Sequence, residues 1–529
     1  MSGFLLWAGA VSPVVLLFLA MSLFQMKTEK AAFLGLTASG LAAAAVGKDT
    51  VFNLGINLAK GGWNAVSILI VIWPAIVLYE ILDRTGAFET IKKLAVDNSK
   101  DQLFLILLFG WLFSSFLQGI TGFGVPVAVC APLLIAVGVK PGWAVVVTLM
   151  GHAWANTFGT FALAWDALVT QSGLTDMGAA FFMTCLFLWA ADLAGGLLIS
   201  ALYGGKRAIA HMFPFLMVIS LIHGGGQMAA GTVNTTIAAF LPTTAALGAA
   251  VLFLKAGFYR KPWEMKSELL KETRGNAEDK EGKVPAGLAV MPFLLLVCFS
   301  VIILMVGPVN RRLGNAVIQL AFRETVTGRG FASPATENYG PLHILTHAGF
   351  ILFLVVCVTW IIFQKKGLLM RNDGSAVLKG TLKKTVPASL GILLLVMMAQ
   401  VLRGSGLMEI IARGVTAAAG RFYGLAAPFI GILGAFVTSS NTSSNILLGG
   451  FQAAMASALH IESWIILSAQ TAGGAIGTVV GPSTILLGTA TAGCRGKEGW
   501  VLKKMLPLAL TEVLVVGMIT LILSLGAGT

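Results

Sequence analysis

The sequence predicts an all-α polytopic membrane protein with roughly 12 transmembrane helices plus re-entrant hairpins. Two observations carry this. Asp, Glu, Lys and Arg make up 11% of 529 residues, where a soluble domain holds about 25%, and the mean hydropathy is +0.87. Apolar runs near the ~20 residues that a spanning helix needs recur at 3–24, 65–82, 178–203, 286–306, 343–363 and 505–526. Further apolar runs are shorter or are interrupted by Gly and Pro.

Charge placement orients these elements. Eight Lys/Arg fall in 255–283, interleaved with six acids, and six more in 365–384. Such clusters mark cytoplasmic loops. The spans 286–306 and 343–363 separate the two, so 307–342 faces outside, despite Arg311, Arg312, Arg323 and Arg329. Lys27 and Lys30 follow the first span, and Lys92, Lys93 and Lys100 the third, which puts the N-terminus outside. Met1 to Trp7 carries no Lys or Arg, so a secretory signal is not expected. Placed in loops, the net charge of +13 does not point to nucleic acid. The five Cys give no disulfide framework or metal spacing. Without a Walker loop or HExxH there is no foothold for an enzyme or for a cofactor.

An internal repeat organises the chain. ILDRTGAFETI (81–91) lies over VLRGSGLMEII (401–411) at an offset of 320, matching Leu82/Leu402, Gly86/Gly406, Glu89/Glu409 and Ile91/Ile411. The same offset puts SFLQGITGFG (115–124) over AFVTSSNTSS (435–444). The first of these helices starts at the cytoplasm and the second outside, so the two repeats are expected to be inverted in topology. The expected units are N-terminal spans 1–64; a first repeat 65–254 with a hairpin near 115–126; a cytoplasmic loop 255–285; connecting spans and loops 286–384; and a second repeat 385–529 with a hairpin near 436–450.

Every position from 438 to 445 is Ser, Thr or Asn, between two apolar arms. Irregular backbone at membrane depth survives only when buried in protein or lining a wet cavity. The run therefore reads as a hairpin tip, whose helix restart offers its positive end to an anion. Gln118, Gly119, Thr121, Gly122 and Gly124, with Pro126 behind them, form the partner turn. Candidate substrate-binding residues are these five together with Ser439, Ser440, Asn441, Thr442, Ser443 and Asn445. Small-residue stretches GHAWANTFGT (151–160) and AQTAGGAIGT (469–478) follow the hairpins and read as unwound helices. They add His152, Asn156, Thr157, Thr160, Gln470, Thr471, Gly473 and Thr478 as lining residues. Ionisable groups inside spans default to functional hypotheses, which makes His152 and Asp192 proton-coupling candidates. Neutral oxygens near Ser440, Asn441 and Thr442 suit Na+. Glu80, Arg403 and Arg413 are expected at the interface.

These motifs resemble the L-lactate permease family over nearly the whole chain. The carrying residues are SFLQGITGFGVPVAVCAPLL with GVKP at 138–141, FVTSSNTSSNILLGGFQ at 436–452, QTAGGAIGTVVGPSTI at 470–485 and GKE at 496–498. The resemblance implies an ion-transporter-superfamily-like fold, an inner-membrane location and a secondary transporter of small monocarboxylates with elevator-like motion. The substrate would be a lactate- or glycolate-like anion, carried with H+ or Na+ across the lipid bilayer. The likeness is incomplete where the family pattern has Glu, Asp, Asn and Lys, and this chain has Gln118, Asn441, His152 and Thr478. A different anion in the same fold, a cation/proton antiporter and an uncoupled anion channel are the alternatives. A homodimer stays open.

Overall fold

The computed structural model describes residues 3–24, 26–122, 124–271, 284–370 and 373–526. Residues 272–283 of the basic loop, Phe123 of the Gly-rich turn and positions 371–372 lie outside them. The chain is an all-α polytopic membrane protein. Eleven helical stretches among the described residues are long and apolar enough to cross a bilayer. One of them, Met177–Val233, has 57 residues, or about 85 Å at 1.5 Å per residue, far beyond a ~30 Å hydrocarbon core. It breaks at Gly204 and Gly205, where Gly205 has φ +63° and ψ −147°, a backbone conformation that only glycine adopts readily. Counted as two, it brings the total to twelve.

Lipid-facing surfaces follow helical periodicity. In Glu498–Gly526, Leu506, Leu510, Leu514, Met518 and Ile522 form an exposed stripe four residues apart, while Val501, Met505, Ala509 and Val513 face the protein.

A scaffold forms around two long helices, Val51–Thr85 and Asp373–Gly404, which pack along each other, the second also against Thr28–Ala42. Small residues let their backbones approach. A Cβ on Gly61 would lie 2.6 Å from Met397 Cα, and one on Gly404 2.0 Å from Asn57 Oδ1. Glu80 is not at an exposed interface: it is buried and accepts from Lys384 at 2.6 Å, with Arg84 at 3.4 Å.

The stretch 307–342 departs from the all-helical pattern. It holds the short helix Gly307–Gly314 and two strand pairs, Val317–Phe322 with Thr336–His343 and Thr325–Val326 with Ala332–Ser333. This arm is tied to the N-terminal end of Val51–Thr85. Asn53 Nδ2 donates to the Val326 carbonyl (2.8 Å), Trp63 Nε1 to that of Gly340 (2.8 Å), and Asn64 Nδ2 to Tyr339 Oη (2.9 Å). Arg329 donates to the carbonyl of Val46.

The first hairpin runs up Gln102–Ile120 and back down Val125–Ala136. Both of its ends are bonded to one loop. Gln102 N donates to the Trp263 carbonyl (3.1 Å) and Lys140 N to that of Leu269 (2.8 Å), so it enters and leaves on one face. The second hairpin, Tyr423–Thr438 and Asn441–Ala458, follows Leu407–Ala419. Just before that helix, Gly406 abuts Phe331 of the strand arm, at the opposite ends of the scaffold helices. Contacts between the halves are exchanged in pairs: Val125–Ala136 packs on Pro482–Thr491, and Asn441–Ala458 on Gly159–Ser172.

Replacing Gly61 by Val puts a branched side chain into the backbone of Met397. Overpacking of this kind costs ~1–3 kcal/mol. The expected result is a lowered thermal midpoint of the detergent-purified protein; an unchanged midpoint would show that the two scaffold helices are not held this closely.

Candidate functional site

Both hairpin tips and both broken helices meet at one cavity of about 480 Å³ between the hairpin bundle and the scaffold. The first tip supplies Gln118, Gly124 and Val125, and the second supplies 438–443. Gly122 (φ +56°) and Gly124 (φ +80°) turn the first tip through backbone angles that favour glycine. A Cβ on Gly122 would lie 2.2 Å from Thr160 Oγ1, so the tip presses on the facing broken helix.

The polar run resolves into a set of backbone bonds. Thr438 Oγ1 donates to the Gly434 carbonyl (2.7 Å), and Ser439 takes a left-handed φ of +55°. Ser439 Oγ accepts from Ser483 N (3.0 Å), and Ser440 Oγ caps the new helix by accepting from Ser443 N (3.2 Å). Ser444 Oγ donates to the Gly431 carbonyl (2.9 Å), tying the two arms together. One level deeper, Asn441 Nδ2 donates to Thr157 Oγ1 (3.1 Å), and Asn445 Nδ2 to Thr471 Oγ1 (2.8 Å) and the Ala164 carbonyl (2.9 Å). Thr157 and Thr471 hydroxyls stand 3.1 Å apart. Asn441 Oδ1 and Asn445 Oδ1 are buried and have no partner.

The broken helices close the cavity. Pro141–His152 passes through a 3₁₀ turn at Ala153–Asn156, and Ser463–Gly477 through one at Thr478–Val480. The two turns touch where Asn156 Nδ2 donates to Thr478 Oγ1 (3.0 Å). Thr160, Phe161 and Ala162 are all left-handed, with φ of +49°, +56° and +63°. Such residues cost roughly 1–2 kcal/mol each, and backbone strain of this kind concentrates at functional sites. His152 Nδ1 donates to the Thr148 carbonyl at 2.6 Å, which leaves Nε2 as the acceptor of a neutral ring.

Of the residues singled out from sequence, Gln118, Gly124, Ser439, Ser440, Asn441, Thr442, Ser443, His152, Asn156, Thr160 and Thr478 line the cavity. The others sit behind it. Gly119 abuts the backbone of Phe240, and Gly473 that of Pro428. Thr121 Oγ1 bonds back to the Leu117 carbonyl (2.9 Å), and Gln470 bonds to Ser444 and Gln452. Gly122, Thr157, Thr471 and Asn445 shape or support the tips. Asp192 lies elsewhere, fully buried between Trp111 Nε1 (2.7 Å) and His223 Nδ1 (2.9 Å).

Sequence reading missed the scaffold wall. Ile72, Ile76, Tyr79, Lys384, Ala388 and Ile392 line the cavity as well. Lys384 is its only charged residue among the described lining residues, 4.1 Å from the Tyr79 ring centroid. It reads as one more basic loop residue because it closes a run of six Lys/Arg over 365–384. Spacing on its helix was the available signal: Lys384, Ala388 and Ile392 recur every four residues, one helical face.

Chemically, three helices begin at this cavity: Val125–Ala136, Asn441–Ala458 and Pro482–Thr491. Their N-terminal dipole ends favour an anion, and no described carboxylate lines the cavity.

Comparison with known proteins agrees in length and order. A family model described as L-lactate permease matches residues 8–525. The L-lactate permease of Halalkalibacterium halodurans is 25% identical over 98% of this chain and 96% of its own length. The glycolate permease GlcA of Escherichia coli (strain K12) is 25% identical over 97% and 94%, and the L-lactate permease of Bacillus subtilis 24% over 97% and 94%. With a match that runs through every span, both hairpins and both broken helices, the chain belongs to the L-lactate permease family.

Proposed function

We propose that the protein is a secondary transporter in the cell membrane that carries a small monocarboxylate, of the lactate or glycolate class, together with Na+. The observation that carries the reading is the convergence of three helix N-termini on one cavity that no described carboxylate lines. The relatives' names, lactate and glycolate permeases, support the substrate class. The carboxylate would rest against the N–H groups opening Asn441–Ala458, while Gln118, Thr160 and Ser443 offer polar contacts to the rest of the molecule. The two halves act as inverted repeats: the first hairpin is held from the face of loop 256–271, and the second follows the face of the strand arm.

Sodium is favoured by Asn441 Oδ1 and Asn445 Oδ1, two buried acceptors without partners beside the Thr157 and Thr471 hydroxyls. Neutral oxygens ligate a hard cation but carry no proton at ordinary pH. The proton alternative rests on His152, the one imidazole in the cavity lining.

Two measurements test this. Asn441→Asp places a carboxylate against the substrate's own, in a cavity that has Thr478 where the family pattern has a Lys to offset it. At 4 Å and an effective dielectric of 20 the repulsion is about 4 kcal/mol, or on the order of a thousandfold in affinity. Uptake should vanish while expression is retained, since Thr157 can turn its hydroxyl to donate; normal uptake removes Asn441 from the site. In proteoliposomes preloaded with potassium, uptake should follow an imposed sodium gradient at constant pH. Uptake driven by a pH gradient with no sodium present would refute sodium coupling and make His152→Asn the next variant.

A further inference from the structure

A second cavity, of about 540 Å³, lies at the other end of the scaffold helices. Lys60 and Asn64 of Val51–Thr85, and Gln400, Arg403 and Gly404 of Asp373–Gly404, form one side of it. The strand arm roofs it with 331–334 and 338–340. Asn64 is eight residues from Ile72 of the hairpin cavity, about 12 Å along the helix. That interval is filled by buried Ala65, Ile68, Val71, Leu395, Val396 and Ala399, so the two cavities are separate.

Charge sets this cavity apart. Lys60 is 2% exposed. Its Nζ donates to Ser333 Oγ at 3.2 Å and stands 5.6 Å from the Phe322 and Tyr339 ring centroids. No described carboxylate forms an ion pair with it. At the other end of the same helices, Lys384 is neutralised by Glu80. The 320-residue offset puts Gln400 over Glu80 and Asn64 over Lys384, so two neutral amides stand here where the other end has an ion pair, and Lys60 is an additional charge. Gln400 is 5% exposed and its Oε1 has no partner. Arg403, expected to anchor at the membrane interface, donates to the Thr170 and Gln171 carbonyls at 3.1 Å. Lys60 and Arg403 against Glu409 leave one net positive charge among the lining residues.

A buried ammonium without a counter-ion is costly, and an exchangeable anion relieves that cost. One net charge suits a monoanion better than a dianion. An unpaired amide oxygen also wants a donor, and a 2-hydroxycarboxylate brings both groups: its carboxylate for Lys60 and its hydroxyl for Gln400 Oε1. We propose that this cavity is a second binding site, at the strand-arm face, for a small 2-hydroxycarboxylate. The choice of substrate class rests on the transporter reading above; the site itself does not require transport.

The test is thiol protection in the purified full chain. In Ser333→Cys, maleimide labelling above the background of the native chain should slow severalfold with L-lactate or glycolate, and less with acetate, which lacks the hydroxyl. Adding Lys60→Gln should raise the half-protective concentration on the order of tenfold, whereas Lys60→Arg should retain protection. Protection should also persist in Asn441→Asp, where uptake is lost. Absence of protection by either hydroxy acid overturns the proposal. So does protection that survives Lys60→Gln and disappears with Asn441→Asp, because the anion would then be acting only through the hairpin cavity.

Discussion

Backbone groups freed inside a bilayer must find partners without water, and this protein stops four helices there. The bonds that meet this demand are the ones that build the site. Thr438, Ser439, Ser440 and Ser444 each spend a hydroxyl on the backbone of a hairpin arm or of the neighbouring broken helix. Asn441 and Asn445 reach across to Thr157, Ala164 and Thr471. A run that looks like a ligand cradle is therefore first a set of structural ties. What those ties leave free is the helix ends they hold open and the two amide oxygens they do not use, and the proposed site is built on these.

Much of this was legible in the sequence, for physical reasons. A polar run between apolar arms has few uses at membrane depth, so the second tip could be read from composition, and the first from its glycines and its place in the 320-residue offset. The split between lining and supporting residues could not. Gly119 and Gly124 belong to one Gly-rich turn, yet Gly119 serves contact with Phe240 while Gly124 borders the cavity. Spacing along a chain does not say which side of a turn another element will occupy. Asp192 carried the expected signal of a charge within a span, and it lies away from the hairpin cavity, with Oδ1 held by Trp111 and His223 and Oδ2 buried without a partner. The strand arm was missed because 307–342 alternates weakly and carries four Arg, which reads as a solvated loop.

The scaffold differs in charge at its two ends. The two long helices cross through small residues along their length, and neither cavity interrupts that packing. At one end Glu80 and Lys384 pair with each other; at the other Lys60 has no ion pair among the described residues, and Gln400 is an amide. The same two helices thus hold closed electrostatics at one end and open electrostatics at the other.

The loop 256–271 gives the first hairpin its footing. Four backbone bonds, from Lys100 N, Gln102 N, Lys140 N and Lys271 N, fasten the hairpin's two ends to that loop. The arm that rises from them, Gln102–Ile120, is 19 residues long, about 28 Å. With its fulcrum at that loop and its far end at Gln118, the arm is helical throughout, π-helical over Leu108–Phe113, and largely buried. A tilt of a few degrees at the fulcrum displaces the tip by an ångström or more, comparable to the tolerance of a hydrogen bond. A displacement imposed on the loop would therefore reach the candidate cavity along continuous helical backbone.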